Sequence, residues 1–199
     1  MYNESRKLSD ILAAKLLRPA KLSHVVLRTA KLKQMRQWYL TMLNGHVQYE
    51  NDNVCFLTYD EEHHRIGIVQ IPGVTDETCT GPGLEHISFA YGHLAELLAN
   101  YQRLKIVGVE PYWTINHGPT ISMYYRDPDG NRIELQYDVF STADGANRFI
   151  QENYAENFMG VLFEPEDMIQ KYEAGLSIDE IVKRPRLPQG KTPWDMHRS

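Results

Sequence analysis

The sequence predicts an α+β protein made of two βαβββ modules, paired so that their sheets form an open barrel-like cleft. Two observations carry this prediction. The chain repeats itself at an offset of 62 residues, and in each copy a β-rich run, an amphipathic helix and three more β-rich runs follow one another. A unit of about 50 residues buries too little apolar surface to fold alone, so the two copies are expected to share one core.

The first part of the chain is predicted as a helical arm over residues 1–20, followed by the first module over residues 21–71. The arm has an apolar face and ends before Pro19. The module's helix carries apolar residues at the spacing of a buried face, namely Leu32, Met35, Tyr39 and Met42. Asn44-Gly45 then turns the chain into three predicted strands. They span residues 47–50, 54–59 and 65–71.

The second module is predicted over residues 84–138, after a surface linker over residues 72–83 that is rich in Pro and Gly. Its helix repeats the apolar spacing at Leu94, Leu97, Tyr101 and Leu104. Its later strands are predicted over residues 109–113, 121–126 and 131–137. Asp127-Pro-Asp-Gly130 joins the last two strands as a tight turn, because Pro fixes φ and Gly accepts a positive φ.

The C-terminal part, residues 139–199, is predicted to contain three helices and an extended tail. The helices cover residues 140–154, the segment from near Pro165 to Gly175, and a turn opened by a capping box at Ser177. The tail contains three prolines after residue 184. Trp194 and Met196 give it apolar area, so it is expected to pack across a neighbouring subunit or over the rim of the site; a disordered end is the alternative.

Composition excludes several classes of function. The net charge is −5 and no Lys/Arg block stands out, so nucleic acid is not an expected partner. No apolar run approaches the ~20 residues of a membrane helix, so a soluble protein without a membrane partner is expected. Cys55 and Cys79 have neither metal-like nor paired spacing, and the first residues lack an apolar signal core. A cytoplasmic location is therefore predicted.

Three residues form a candidate metal site. The repeat places His24 and His86 at equivalent positions at the start of each module, so that pairing of the modules would bring them into one cleft. Glu134 lies on the last strand of the second module. Two imidazoles and one carboxylate, with further positions open, are the ligands of non-haem Fe(II) oxygenases. In the alternative interpretation, Glu134 faces water between the apolar neighbours Ile133 and Leu135.

The stretch from Ile115 to Glu134, with His117 and Tyr124 before the turn, resembles the sequence pattern of type I extradiol ring-cleaving dioxygenases in the vicinal oxygen chelate superfamily. The resemblance implies cleavage of a catechol-type diol by O2 to a muconic semialdehyde-type product. It also implies Fe(II), or Mn(II), bound by two histidines and a glutamate, and a homo-oligomer. Most such relatives have two pairs of βαβββ modules, whereas this chain has one.

The resemblance also assigns roles to three further residues. His64, from the His63-His64 pair, corresponds to the acid and base acting on the substrate, with His63 as the alternative. His117 corresponds to the histidine that hydrogen-bonds the bound oxygen species. Tyr124 corresponds to the tyrosine that contacts a substrate hydroxyl. Each of these side chains also has a purely structural interpretation as a turn or strand residue.

Other functions within the superfamily remain open. Glyoxalase I-type isomerases use a fourth, carboxylate ligand from the first module, but the offset of 62 residues from Glu134 leads to Pro72, with Gln70 as the nearest polar residue. A three-ligand site is therefore favoured. An epimerase, a lyase or transferase, and a non-catalytic binding protein are the alternatives.

Overall fold

The computed structural model of the protein describes residues 18–75 and 82–198, so that most of the predicted N-terminal helix and Cys79 lie outside the described residues. The first module consists of β1 (Val25–Thr29), α1 (Leu32–Leu43), β2 (His46–Glu50), β3 (Val54–Thr58) and β4 (Ile66–Gln70). The second consists of β5 (Ile87–Tyr91), α2 (Leu94–Ile106), β6 (Trp113–Asn116), β7 (Thr120–Arg126) and β8 (Arg132–Asp138). The C-terminal part adds α3 (Ala143–Asn153), β9 (Val161–Leu162), α4 (Pro165–Glu173), α5 (Ile178–Ile181) and a 3-10 turn (Pro193–Met196).

The two modules have the same sheet topology. The first sheet has the strand order β1-β4-β3-β2, and the second has β5-β8-β7-β6-β9. In each sheet the first strand of the module pairs in parallel with the last strand, and the remaining pairs are antiparallel. The α+β prediction is confirmed, and both sheets are open rather than closed barrels. No helix in the described parts of the chain is long and apolar enough to cross a membrane.

Both helices bury the predicted apolar face. The buried residues of α1 are Leu32, Met35, Tyr39 and Met42, and those of α2 include Leu94, Leu97, Tyr101 and Leu104. The helix α1 ends where Asn44 takes a left-handed conformation with φ 49°. Gly45 follows because a Cβ there would lie 2.6 Å from the carbonyl oxygen of Thr58. The turn between helix and sheet therefore has a steric cause.

The helical sides of both modules meet in one hydrophobic core. The Tyr39 hydroxyl of α1 donates a 3.0 Å hydrogen bond to Asp127 in the turn between β7 and β8. From α2, the Arg103 guanidinium donates to the carbonyl oxygens of Thr41 and Met42. These contacts join the two modules on the sides of their sheets that face the shared core.

Two predicted element boundaries were wrong. The strand predicted over residues 109–113 runs instead over Trp113–Asn116. Its register is set by the hairpin that follows, in which the His117 amide bonds to the Thr120 carbonyl, and Pro111 has no amide proton for a ladder. The helix predicted from residue 140 begins at Ala143, because the Thr142 hydroxyl caps it by accepting from the Gly145 amide.

Candidate active site

The hairpin of β7 and β8 places Tyr124 directly opposite Glu134. The two residues are cross-strand partners, and both are almost completely buried. The Tyr124 hydroxyl donates a 2.9 Å hydrogen bond to Glu134 Oε1. The connecting turn is fixed by the Asp127 carboxylate, which accepts from the Asn131 amide, and by Gly130 with φ 84°. The local sequence therefore determines the position of the carboxylate.

The other carboxylate oxygen of Glu134 faces His86. The distance from His86 Nε2 to Glu134 Oε2 is 3.1 Å. Burial tends to raise the pKa of Glu134, but hydrogen bonds from neighbouring side chains, His86 and Tyr124 among them, outweigh it and hold this pKa at about 2. The hydrogen bond to Glu134 in turn raises the pKa of His86. An imidazole and an ionised carboxylate thus offer two adjacent donor atoms to a metal ion.

His117 extends this group by one more hydrogen bond. Its Nε2 lies 3.1 Å from the Tyr124 hydroxyl, and its Nδ1 is bonded to the carbonyl oxygen of Met159. A carbonyl only accepts, so Nδ1 carries the proton, and Nε2 of the neutral ring is an acceptor. Burial keeps the ring neutral by lowering the pKa of His117. The Tyr124 hydroxyl has one proton and two neighbouring acceptors, His117 Nε2 and Glu134 Oε1. It therefore donates a hydrogen bond to only one of them at a time.

The first module carries a separate cluster of three histidines. Their ligand-type nitrogen atoms all lie within 4.8 Å of one another in the group His24, His63 and His64. The His63 and His64 Nδ1 atoms are 2.6 Å apart, and the His64 ring packs on the Phe56 ring at 4.7 Å. Loss of hydration lowers the pKa of His64, and the neighbouring His24 and His63 lower it further. This cluster contains the predicted acid-base residue and its alternative.

The six predicted site residues thus fall into two groups. His86, Glu134, Tyr124 and His117 are linked by direct hydrogen bonds. His24 lies with His64 at a ring distance of 4.2 Å. Within residues 18–75 and 82–198, the histidine trio is the one group of three ligand-type side chains at metal-binding distance, so that His24, His86 and Glu134 do not converge within one chain.

Strand pairing also corrects the prediction of which residue in the first module is equivalent to Glu134. In the second sheet Ser88 pairs with Glu134, and at the equivalent place in the first sheet Val26 pairs with Gly67. The counterpart is therefore Gly67 rather than Pro72, because Glu134 lies 40 positions after the start of its helix at Leu94, whereas Gly67 lies 35 positions after the start of its helix at Leu32. The inference that the first module offers no carboxylate at this position is unchanged.

Comparison with known proteins places this geometry in a family. A family model described as the Glyoxalase/Bleomycin resistance protein/Dioxygenase superfamily matches residues 21–135. The chain belongs to this superfamily. The match covers both modules, including every residue of the two groups described above.

The curated relatives and the solved structures agree with this membership. The chain is 43% identical over 164 residues to biphenyl-2,3-diol 1,2-dioxygenase 2 of Rhodococcus globerulus, covering 81% of this chain and 86% of that protein. Identity to biphenyl-2,3-diol 1,2-dioxygenase 3 of the same organism is 41% over 167 residues, covering 82% and 88%. A lactoylglutathione lyase structure from Agrobacterium tumefaciens has a TM-score of 0.50 at 16% identity, covering 60% of this chain and 94% of that chain. A superfamily domain from Frankia sp. EAN1pec has a TM-score of 0.51 at 22% identity, covering 61% and 99%, and both structures support the fold alone.

Sequence reasoning missed an aromatic residue that packs beside Tyr124. Trp113 pairs with Tyr124 across β6 and β7, and their rings stack at 4.4 Å. The Trp113 Nε1 donates a 2.9 Å hydrogen bond to the Met196 carbonyl, and Met196 is buried in the same cluster. Counting the β6–β7 hairpin back from the Gly118-Pro119 turn would have predicted Trp113. The C-terminal tail thus packs against Trp113, beside Tyr124, and its placement over the rim of an active site stays a prediction.

Proposed function

We propose that the protein is an Fe(II)-dependent extradiol dioxygenase that cleaves the ring of an aromatic vicinal diol with O2. The observation that carries the proposal is the linked group of His86, Glu134, Tyr124 and His117 in a chain more than 40% identical to two biphenyl-2,3-diol 1,2-dioxygenases. The name of these relatives gives cleavage at the 1,2 bond, beside the hydroxylated carbons 2 and 3. Cleavage beside the diol rather than between its carbons is extradiol cleavage.

The donor atoms of this group fit a divalent iron. His86 Nε2 and Glu134 Oε2 are adjacent, and Glu134 is ionised over the whole ordinary pH range. One further imidazole, proposed to be that of His24, completes the two-histidine, one-carboxylate set and leaves positions for a bidentate diol and for dioxygen. When bound, Fe(II) supplies a charge that lowers the pKa of a coordinated hydroxyl and a path for electrons from diol to O2. Mn(II) uses similar ligands and is the alternative ion.

The surrounding side chains of the chain have distinct tasks. His64, whose pKa is lowered by burial, is a base for a diol proton near neutral pH and can return that proton later. His117 is neutral, and its Nε2 accepts a hydrogen bond from Tyr124 or from a protonated oxygen. Tyr124 is held protonated by burial, which raises its pKa, so that it acts as a hydrogen-bond donor. Trp113 and Met196 exclude water from one side of this group.

The experiment is an oxygen-uptake assay with anaerobically reconstituted protein. Protein loaded with Fe(II), and separately with Mn(II), is mixed with catechol, 3-methylcatechol and 2,3-dihydroxybiphenyl. The expected result is uptake of one O2 per diol, a yellow product, and both atoms of 18O2 in that product. 3-Hydroxybiphenyl, which lacks the second hydroxyl, is the matched control and should give no uptake. Diol binding without O2 uptake, in both metal forms, would contradict the proposal and favour a non-catalytic binding protein.

A further inference from the structure

The loop that leads into β9 lies directly against His117. Pairing of β9 with β6 sets Val161 opposite Asn116. Gly160, just before β9, has φ 120°, and a Cβ there would lie 2.4 Å from the Asn116 carbonyl oxygen and 2.9 Å from the His117 Cα. Glycine alone allows so close an approach in this backbone conformation. The loop over residues 157–160 is therefore in direct contact with the backbone of His117.

The side chain of Asn157 fixes the shape of this loop. Asn157 is 4% exposed. Its Oδ1 accepts from the amides of Met159 and Gly160 at 3.1 and 2.9 Å, and its Nδ2 donates to the Gly160 carbonyl at 2.9 Å. An asparagine side chain that bonds to the backbone two residues further on mimics a backbone turn. These three hydrogen bonds set the orientation of the peptide between Met159 and Gly160.

The orientation of this peptide decides which nitrogen of His117 carries the proton. In a trans peptide, the C=O and the following N–H point in opposite directions. Because the Gly160 N–H points at Asn157, the Met159 C=O points the other way, where it accepts from His117 Nδ1. Nδ1 therefore keeps the one proton of the neutral ring, and Nε2 keeps a lone pair 3.1 Å from the Tyr124 hydroxyl.

Arg184 joins the same loop to His117 a second time. Its Nη1 donates to the carbonyl oxygens of His117 and Asn157, both at 3.0 Å. The guanidinium lies over the Phe149 ring at 4.8 Å from its centre. Both Asn157 and Arg184 belong to the C-terminal part of the chain, outside the two modules. The C-terminal part thus reaches His117 through a carbonyl acceptor and a guanidinium donor.

We propose that Asn157 and Arg184 are positioning residues for His117. They hold the Met159 carbonyl against Nδ1, so that Nε2 stays a hydrogen-bond acceptor on the side of Tyr124. The C-terminal part then has the task of fixing one tautomer of a histidine that the second module carries. The inference rests on the proposed function for the part that His117 plays in ring cleavage. A buried asparagine that merely stabilised its own loop would leave the tautomer of His117 unchanged.

The direct test reads the His117 tautomer by NMR in the full-length chain without metal. Protein labelled with 15N in its histidine rings is measured at neutral pH, and a His117→Gln variant assigns the signals. The wild type should carry the proton on Nδ1. A second tautomer, with the proton on Nε2, should appear in Asn157→Ala. It should also appear in Arg184→Met, which removes the hydrogen-bond donors and keeps an apolar side chain on Phe149.

The outcomes of this test decide the proposal residue by residue. A folded variant that shows the wild-type tautomer alone would overturn the positioning role of the residue it alters. Failure of both variants to fold would assign the two residues to stability and count equally against the proposal. Asn157→Ser retains an oxygen that can accept from the amides of the loop, so it should restore the wild-type tautomer. The same second tautomer in Asn157→Ser and Asn157→Ala would remove these hydrogen bonds as the cause.

A neighbouring asparagine provides the matched control. Asn153, the last residue of α3, bonds through its side chain to the Phe149 carbonyl instead of to the loop. Asn153→Ala should therefore keep the wild-type tautomer of His117 and the wild-type turnover. A second tautomer in this control would show that the His117 ring responds to any change near α3, which contradicts a specific role for Asn157.

Steady-state kinetics of the Fe(II)-loaded protein give the second readout. In Asn157→Ala, kcat should fall about 10- to 100-fold, the usual cost of removing a residue that orients an active-site group. KM for the diol should stay within a few-fold, because Asn157 acts through His117 rather than on the substrate. An altered tautomer with unchanged kcat would refute the link to ring cleavage. If the wild type cleaves no diol, the proposed function fails, whereas the NMR spectra still decide the positioning of His117.

Discussion

The two modules share a fold but divide the chemistry between them. Val26 pairs with Gly67 in the first sheet at the place where Ser88 pairs with Glu134 in the second. The carboxylate of Glu134 is buried in a network of hydrogen bonds, whereas the histidines of the first module stand largely exposed around one another. The difference teaches that two modules with the same strand pairing can differ in chemistry through one side chain, which here decides which sheet carries a buried carboxylate.

The largest expected effect tests that one side chain. Glu134→Gln keeps the shape of the side chain but removes the charge that draws a divalent cation. Bound iron and ring cleavage should both fall below detection, while the far-UV circular dichroism spectrum should be unchanged. Glu110→Gln, at an exposed position of the same module, is the control and should keep both. Stoichiometric iron in the Glu134→Gln protein would show that metal binding does not need the negative charge of Glu134.

The next largest effect tests whether His64 of the first module is the acid-base residue. His64→Ala should keep iron but lose about 10²- to 10⁴-fold in turnover, the usual size of a general acid-base contribution. His63→Ala is the matched variant, because His63 is the exposed neighbour in the same cluster. Its turnover should stay within a few-fold of wild type. A reversed result, with the large loss in His63→Ala, would assign the proton transfer to His63.

A smaller effect is expected where the network of the second module is altered next to the metal ligand. Tyr124→Phe retains the ring that stacks on Trp113 but removes the hydroxyl that bonds to Glu134 and His117. Loss of such a partner of a ligand typically costs 10- to 100-fold in metal affinity or activity. Iron affinity measured by chelator competition should fall within that range. An unchanged affinity together with unchanged turnover would remove Tyr124 from the site.

The smallest effect concerns the C-terminal tail, which packs against Trp113 of the second module. Met196→Ala removes a side chain that is 5% exposed in the cluster with Trp113. A buried Met→Ala change costs about 2 kcal/mol or more, and so the thermal midpoint should fall by about 5 °C. Trp194→Ala, at a residue that is 68% exposed, should change it much less. Equal midpoints for wild type and Met196→Ala would show that the contact of the tail with Trp113 does not stabilise the protein.

Local features of the site were predictable from the sequence, and long-range ones were not. The Asp127-Pro-Asp-Gly130 turn fixes the register of its own hairpin, so the meeting of Tyr124 and Glu134 follows from nearby residues. The helical faces follow from apolar spacing in the same way. The counterpart of Glu134 was misplaced at Pro72, because a constant offset ignores the five residues that the second module adds between the start of its helix and the strand position of Glu134.

The separation of His24 from His86 depends on how the modules pack. That packing is set by contacts across the whole chain, such as the bond from Tyr39 to Asp127. The repeat in the sequence gives equivalent positions but no information on which faces of the sheets meet. The contact between Trp113 and Met196 was missed for a similar reason, since it joins residues more than 80 positions apart.

The position of the iron is the central claim, and anomalous diffraction at the iron edge measures it directly. Crystals of the Fe(II)-loaded protein should show one peak per site, within about 2.2 Å of both His86 Nε2 and Glu134 Oε2. A His24 nitrogen should complete the ligand set at the same distance. A peak among His24, His63 and His64 of a single chain, with none beside Glu134, would contradict the account.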